Sequence, residues 1–319
     1  MAYSMQLSFK SRSREELRIR AEDNSDLEER LEVIMNQEVK YQCKDYLNIQ
    51  GSSITVINEE CRSRMCEWCY QTVDFFKLSR DNVHASMSIL DRFLSTSQGK
   101  PYLLKKSLYQ LACVASLYIS IKVHESVELG VSLLVQLGRG AYTANQILQV
   151  EQQVLLATNW KVNPPSPNAF VYLYVAMLPP SVGQVVRQDL INLSIYQIEL
   201  AISDYRLSTL SQPSCIATAS LFNSLVLMAE VSHMTIDDIF YTIAEHAGYQ
   251  QKHASVTRAR TIMFAHLTSV KASFCDLLQT ICSKDSSLDP DKSSLSTRGT
   301  TLQTSQEVQN LSPVAVMFG

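Results

Sequence analysis

The chain is poor in residues that break helices, with nine glycines and nine prolines among 319 residues. Strand-rich folds need turn residues at short intervals, so this scarcity favours helices. A basic excess is also missing. Twenty-eight Lys and Arg stand against 31 Asp and Glu, a net charge of −3. A general nucleic-acid binder carries cations to release phosphate counterions, so no nucleic-acid partner is expected. No apolar run is long enough to span a bilayer, and no membrane partner is expected. The opening residues, MAYSMQLSFKSRSREELRIR, hold no apolar core of signal-peptide length. A Walker-type phosphate loop, GxGxxG, HExxH and GxSxG are all absent. The six histidines are scattered without metal-ligand spacing. Neither a catalytic constellation nor a cofactor or metal site is expected.

What is present suits a buried core: 46% of the residues are hydrophobic and 18% charged. The eight cysteines are expected to be reduced thiols. Cys66 and Cys69 form a C-x-x-C with no second pair to complete four ligands. They read as two small apolar residues one helical turn apart.

Residues 1–26 are polar and are expected to be disordered or loosely helical. Leu27, Leu31, Ile34 and Met35 then recur at helical spacing, predicting an amphipathic helix over about 26–46. After a Gly-Ser-Ser break at 51–53, five helices are predicted: about 59–76, 81–96, 104–123, 127–137, and one capped by Thr143 and running to Thr158. The third is almost wholly apolar and should be central. NPPSP at 163–167 stops the pattern and reads as a linker. A second series follows at about 167–178, 182–204, 213–229, 235–246 and 254–282. Residues 114–120, VASLYIS, and 218–224, TASLFNS, share four of seven positions, which suggests two copies of one unit. The expected architecture is all-α, with two tandem five-helix bundles at 27–163 and 164–282. The Ser/Thr-rich end, 283–319, cannot bury enough apolar area to order itself.

Four charges fall where periodicity predicts close packing. A charge among apolar residues is costly unless it is paired or faces a partner. Arg62 and Asp91, on consecutive helices, read as a partly buried ion pair. Lys122 ends the most apolar helix and Glu151 lies inside ILQVEQQVLL. Pattern alone leaves this second pair balanced between an internal salt bridge and a contact to another protein.

CRSRMCEW (61–68), SILDRFLS (88–95), LYQLACVASLYISIKVHE (108–125), YTANQILQVEQQVL (142–155) and TNWKVNPPSPNAF (158–170) together resemble the cyclin family. The positions that family treats as its hallmark are filled by Arg62, Asp91, Leu111, Lys122 and Glu151. The second half, including SDYRLSTLSQPSCIATASLF (203–222), is similar to the family's C-terminal box. The segment LEVIMNQEVKYQCKDYL (31–47) looks like that of D-type, G1 cyclins, although their LxCxE motif is missing. The resemblance implies two cyclin-type bundles in a non-catalytic subunit, nuclear and cytoplasmic, that activates a cyclin-dependent Ser/Thr kinase in cell-cycle control at G1/S.

In that reading Lys122 and Glu151 hold the backbone near the kinase C-helix. Ile119, Val123, Leu155, Trp160 and Val162 form an apolar pocket, and Glu125 belongs to the acidic contact that follows the lysine. His124 replaces an acid there, weakening the contact. Cys61, Arg64, Met65, Trp68 and Gln110 correspond to the family's substrate-docking patch, through which substrate or inhibitor proteins would bind. Arg64 replaces an aliphatic residue, and the added cation should weaken that docking. The competing expectations are a TFIIB-like transcription factor and a helical scaffold that binds no kinase.

Overall fold

Short polar signals set the helix ends. Asn58 accepts a hydrogen bond from the Cys61 N–H, Ser166 from Ala169 and Asp204 from Leu207. Thr143 and Gln146 form a reciprocal capping box. Each supplies an acceptor to an N–H that has no partner in the first helical turn.

The computed structural model describes residues 24–48, 56–127, 129–232, 237–248 and 254–269. Among these residues there are twelve α-helices and no strand. In the first half they are α1 (Asn24–Glu38), α2 (Glu59–Phe75), α3 (Asp81–Leu94), α4 (Lys106–His124), α5 (Val131–Leu137) and α6 (Ala144–Ala157). The second half holds α7 (Pro167–Ala176), α8 (Gln184–Ser203), α9 (Tyr205–Leu210), α10 (Pro213–Ser232), α11 (Asp237–His246) and α12 (Ala254–Ser269). No helix among the described residues is long and apolar enough to cross a membrane.

Each half is arranged around one apolar helix. Every residue of α4 from Tyr109 to Ile121 is buried, and α3 and α6 pack on it. In α10 the run from Ser214 to Leu225 is buried in the same way, packed by α7, α8 and α12. The related heptapeptides at 114–120 and 218–224 thus lie in the two central helices, where small Ala and Ser side chains let neighbouring helices approach closely. The buried apolar core is continuous from α2–α6 into α7–α12.

The boundaries differ from the sequence reading in several places. The amphipathic helix before α2 stops at Glu38; a 3-10 turn, Val39–Tyr41, follows, and the chain then runs without regular structure. Lys100–Leu103 is a separate 3-10 turn ahead of α4, and α5 begins only at Val131. The expected helix over 182–204 ends at Ser203, because Asp204 caps a further short helix, α9. The break at 51–53, both chain ends and the stretch 270–282 of the last expected helix lie outside the described residues.

Long-range polar contacts lock the end of α1 and the segment after it to the second half. Glu38 Oε1 accepts from the Ser214 hydroxyl at 2.7 Å and Oε2 from the Ser214 N–H at 3.0 Å. This carboxylate therefore caps the N-terminus of α10, where the helix dipole favours negative charge. Further on, the Tyr205 hydroxyl donates to Asp45 at 2.8 Å and accepts from the Tyr46 N–H at 2.9 Å.

Candidate functional site

The four unexplained charges form two pairs in very different surroundings. Arg62, on α2, is fully buried. Its Nε donates to Asp91 Oδ1 at 3.0 Å and one terminal nitrogen to Oδ2 at 2.8 Å. The same nitrogen reaches the Ser208 hydroxyl on α9, and the other donates to the Ile202 carbonyl at the end of α8 at 2.8 Å. Asp91 also accepts from Tyr46 at 2.7 Å and Thr209 at 3.0 Å. The pair thus joins α2 and α3 to the segment after α1 and to the α8–α9 junction. Burial disfavours the charged guanidinium, but Asp91 outweighs it and holds the Arg62 pKa well above the usual value. Such satisfaction is what a buried charge requires.

Lys122 and Glu151 meet at 2.5 Å between the end of α4 and the middle of α6. The ammonium lies 4.7 Å from the centre of the Tyr118 ring. The Glu151 side chain is largely buried, whereas that of Lys122 is open to solvent. A lysine head has three donors and a carboxylate about four acceptor positions. One hydrogen bond between them leaves both with capacity for a further backbone carbonyl or amide.

Several apolar side chains near these positions in the chain are exposed, Val123 next to Lys122 and Trp160 just after α6, whereas Leu156, five residues beyond Glu151, points to a different face of α6. Val123 is 46% exposed, Leu156 57% and Trp160 65%. Leu155 and Val162 are half-buried against the core. The end of α4 and the segment after α6 come together, with His124 Nε2 3.0 Å from Asn163 Oδ1. A reversing turn at the end of α6 fixes Trp160. The Asn159 N–H bonds to the Leu156 carbonyl at 3.1 Å and the Trp160 N–H to Leu155 at 2.8 Å, the paired bonds of a Schellman motif. Asn159 and Trp160 have φ of 52° and 59°, left-handed conformations that are uncommon outside glycine and cost about 1 kcal/mol or more. The indole is thereby held outward from the core.

Several residues lie elsewhere than the sequence reading placed them. Ile119 is fully buried because it belongs to the all-round apolar stretch of α4, so it supports the surface from below and is no pocket wall. The Glu125 carboxylate is turned inward, accepting from the Ser79 N–H at 2.8 Å and the Asn82 amide at 2.6 Å; it braces the start of α3. Leu148, which is exposed, was missed. Leu148 lies three residues before Glu151, and that spacing on one helical face was the available signal.

The helix-1 patch is closed. Met65, Trp68 and Gln110 have no exposed surface, and Cys61 is buried. The Gln110 amide oxygen accepts from the Tyr142 hydroxyl at 2.9 Å. Arg64 is exposed and paired with Glu60 at 2.8 Å. Residues expected to form a groove are instead core, so nothing apolar from this set is left for a docking peptide. The C-x-x-C cysteines are likewise buried, with Cys69 Sγ 3.7 Å from Cys113 Sγ. Among the described residues no cluster of His, Cys, Asp or Glu could hold a metal ion.

Residues 29–163 match the family model described as "Cyclin, N-terminal domain". Among curated relatives, the chain is 24% identical to Cyclin-B1-4 of Arabidopsis thaliana over 65% of its own length and 49% of the relative's. It is 28% identical to G2/mitotic-specific cyclin-2 of Antirrhinum majus, covering 56% of this chain and 37% of that protein. With G2/mitotic-specific cyclin-B of Drosophila melanogaster it shares 30% identity over 54% of this chain and 30% of the relative. The chain thus spans half or less of the length of these relatives. A viral cyclin from herpesvirus saimiri is similar in structure at a TM-score of 0.45 and 17% identity, covering 70% of this chain and 96% of that one. The sequence matches support the cyclin family. The relatives named are B-type or mitotic cyclins, so the D-type likeness of segment 31–47 and a G1/S assignment find no support in them.

Proposed function

We propose that the protein is a cyclin of B-type kinship that binds and activates a cyclin-dependent protein kinase, and contributes no catalytic group itself. The observation that carries this reading is the half-satisfied Lys122–Glu151 pair at the solvent-open end of α4, with Val123 and Trp160 exposed and the end of α4 joined to the segment after α6. Apolar anchors ringed by a directional donor and acceptor are how protein-binding hot spots are built. The kinase helix would lay an apolar side chain against Trp160 and Leu155 while its backbone takes the spare positions of Lys122 and Glu151. Binding the active arrangement more tightly than the inactive one shifts the kinase toward activity. Mitotic rather than G1 timing follows from the kinship, and the nucleus and cytoplasm are where such a complex would act.

The test is recovery of a histone-phosphorylating kinase on the tagged chain. Wild type should retain it, and the Lys122→Ala/Glu151→Ala variant should lose most of it while keeping the wild-type melting temperature. Equal recovery by the two proteins would remove this surface from the mechanism. No kinase on the wild type would favour a scaffold.

A further inference from the structure

A cavity of about 200 Å³ lies where α3, the segment after α1, the α6–α7 linker and the α9–α10 junction meet. We propose that it is a binding site for a basic side chain, arginine or lysine, presented by a partner peptide. This site is distinct from the kinase-docking face and does not depend on that reading.

Among the described residues its lining includes two carboxylates, Glu38 and Asp91, and no lysine or arginine. The two carboxylates are not equivalent. Asp91 is compensated by the Arg62 guanidinium. Glu38 is only 3% exposed and, among the described residues, bonds Ser214 and pairs with no cation; its burial raises its pKa above the ordinary carboxylate value. A buried carboxylate without a counter-charge gains from an incoming cation. Two of its roughly four acceptor positions remain open.

His84 is the second, independent observation. It lines the same cavity, is 8% exposed, and its Nδ1 has no hydrogen-bond partner among the described residues. Buried polar atoms in native proteins are rarely left so. Burial keeps the ring neutral, and a neutral imidazole offers one nitrogen as an acceptor. Ser88, one turn further along α3, adds a hydroxyl to the wall. An acceptor-rich wall with net negative charge suits a head group that only donates, as guanidinium and ammonium do, and opposes an anion. Pro164, Pro165 and Leu210 also line it, and Leu210 is 47% exposed, so the cavity reaches the surface along an apolar side. Such a surface takes the methylene stem of a lysine or arginine.

The test titrates the full chain, labelled with ¹⁵N, with acetyl-arginine methylamide, its lysine counterpart and the uncharged citrulline counterpart. At least one basic compound should shift the His84 ring resonances and raise the melting temperature, and citrulline should do neither. Glu38→Gln retains an amide oxygen to accept from Ser214, and should weaken binding at least tenfold. Should that variant unfold, Ser88→Phe fills the cavity without touching Glu38 and should weaken binding as much. Citrulline binding as well as arginine, a failure of both basic compounds to bind, or undiminished binding in the folded variants would overturn the proposal and leave Glu38 only a cap for α10.

Discussion

Arg62–Asp91 and Lys122–Glu151 use the same chemistry for opposite ends. The first pair is sealed, and its donors and acceptors are taken up by five segments of the chain. The second is open on the lysine side, makes one hydrogen bond across the pair, and stands next to uncovered apolar side chains. Saturation marks a charge whose partners are internal. Spare capacity at a surface with exposed apolar anchors marks one that can still take a partner. Position on the helical wheel distinguishes neither pair, because each places a charge among apolar neighbours.

The strongest way to break the comparison is to remove the sealed cation. Arg62→Met should cost about 3–5 kcal/mol, the usual penalty for orphaning a buried charge, read as a lowered denaturant midpoint. Adding Asp91→Leu should restore only part of it. Tyr46, Thr209 and the Ile202 carbonyl would still lack partners, and each unmade buried hydrogen bond costs about 1–3 kcal/mol. Full recovery in the double variant would show that the network is an isolated pair after all.

Acid should act next, at His84 on α3 near this network. Desolvation by burial lowers the His84 pKa to about 4 from 6.5, opposed by nearby Asp91 and assisted by Arg62 and His124. A base whose folded-state pKa is depressed binds its proton more readily when unfolded. Its contribution is therefore intact above pH 6.5, declines as pH falls from 6.5 to 4, and is flat below that. At about 1.4 kcal/mol per pH unit the loss reaches about 3 kcal/mol. Chemical denaturation across that window should show the slope, and His84→Gln should flatten it. An unchanged slope in the variant would mean that other groups carry the acid sensitivity.

On the open surface, effects should appear in binding and not in folding. Trp160→Ala should weaken kinase binding by about 2 kcal/mol, some thirtyfold, as truncating a central aromatic anchor does. The melting temperature should hold, since the ring is mostly in solvent. Its backbone offers a finer probe. Asn159→Gly should keep both folding and binding, because glycine accepts the left-handed turn freely, whereas Asn159→Val should disturb both.

Much of this was legible because helices advertise themselves by period. Leu27, Leu31 and the alternation of Ile147, Val150 and Val154 place buried faces that the structure also buries, and Thr143 caps α6 as its chemistry suggests. Six-residue α9 was not legible, since it is too short to show a period, and only Asp204 marks its start. The site was harder for a different reason. Whether Trp68 or Trp160 is exposed depends on what packs over it, and that information lies far away in sequence. Met65 and Trp68 are fully enclosed, and Gln110 is held by Tyr142, 32 residues further on, while nothing among the described residues covers Trp160 to a comparable degree. Two tryptophans of equal apolar content therefore end as core and as surface.

The smallest expected effect is also the most discriminating. A double-mutant cycle on Lys122→Ala and Glu151→Ala should give a coupling energy for folding below about 1 kcal/mol, as solvent-open pairs do. The lysine gains little Coulomb energy beside water and loses rotamer freedom in holding its position. For kinase binding, each single variant should be nearly as damaging as the double one, because backbone capture needs donor and acceptor together. These are separable results: a folding coupling of several kcal/mol would make the pair a structural brace like Arg62–Asp91, and simple additivity in binding would mean that the two side chains contact the kinase independently. Only weak coupling in folding, joined to strong non-additivity in binding, supports an ion pair kept at the surface for another protein's backbone.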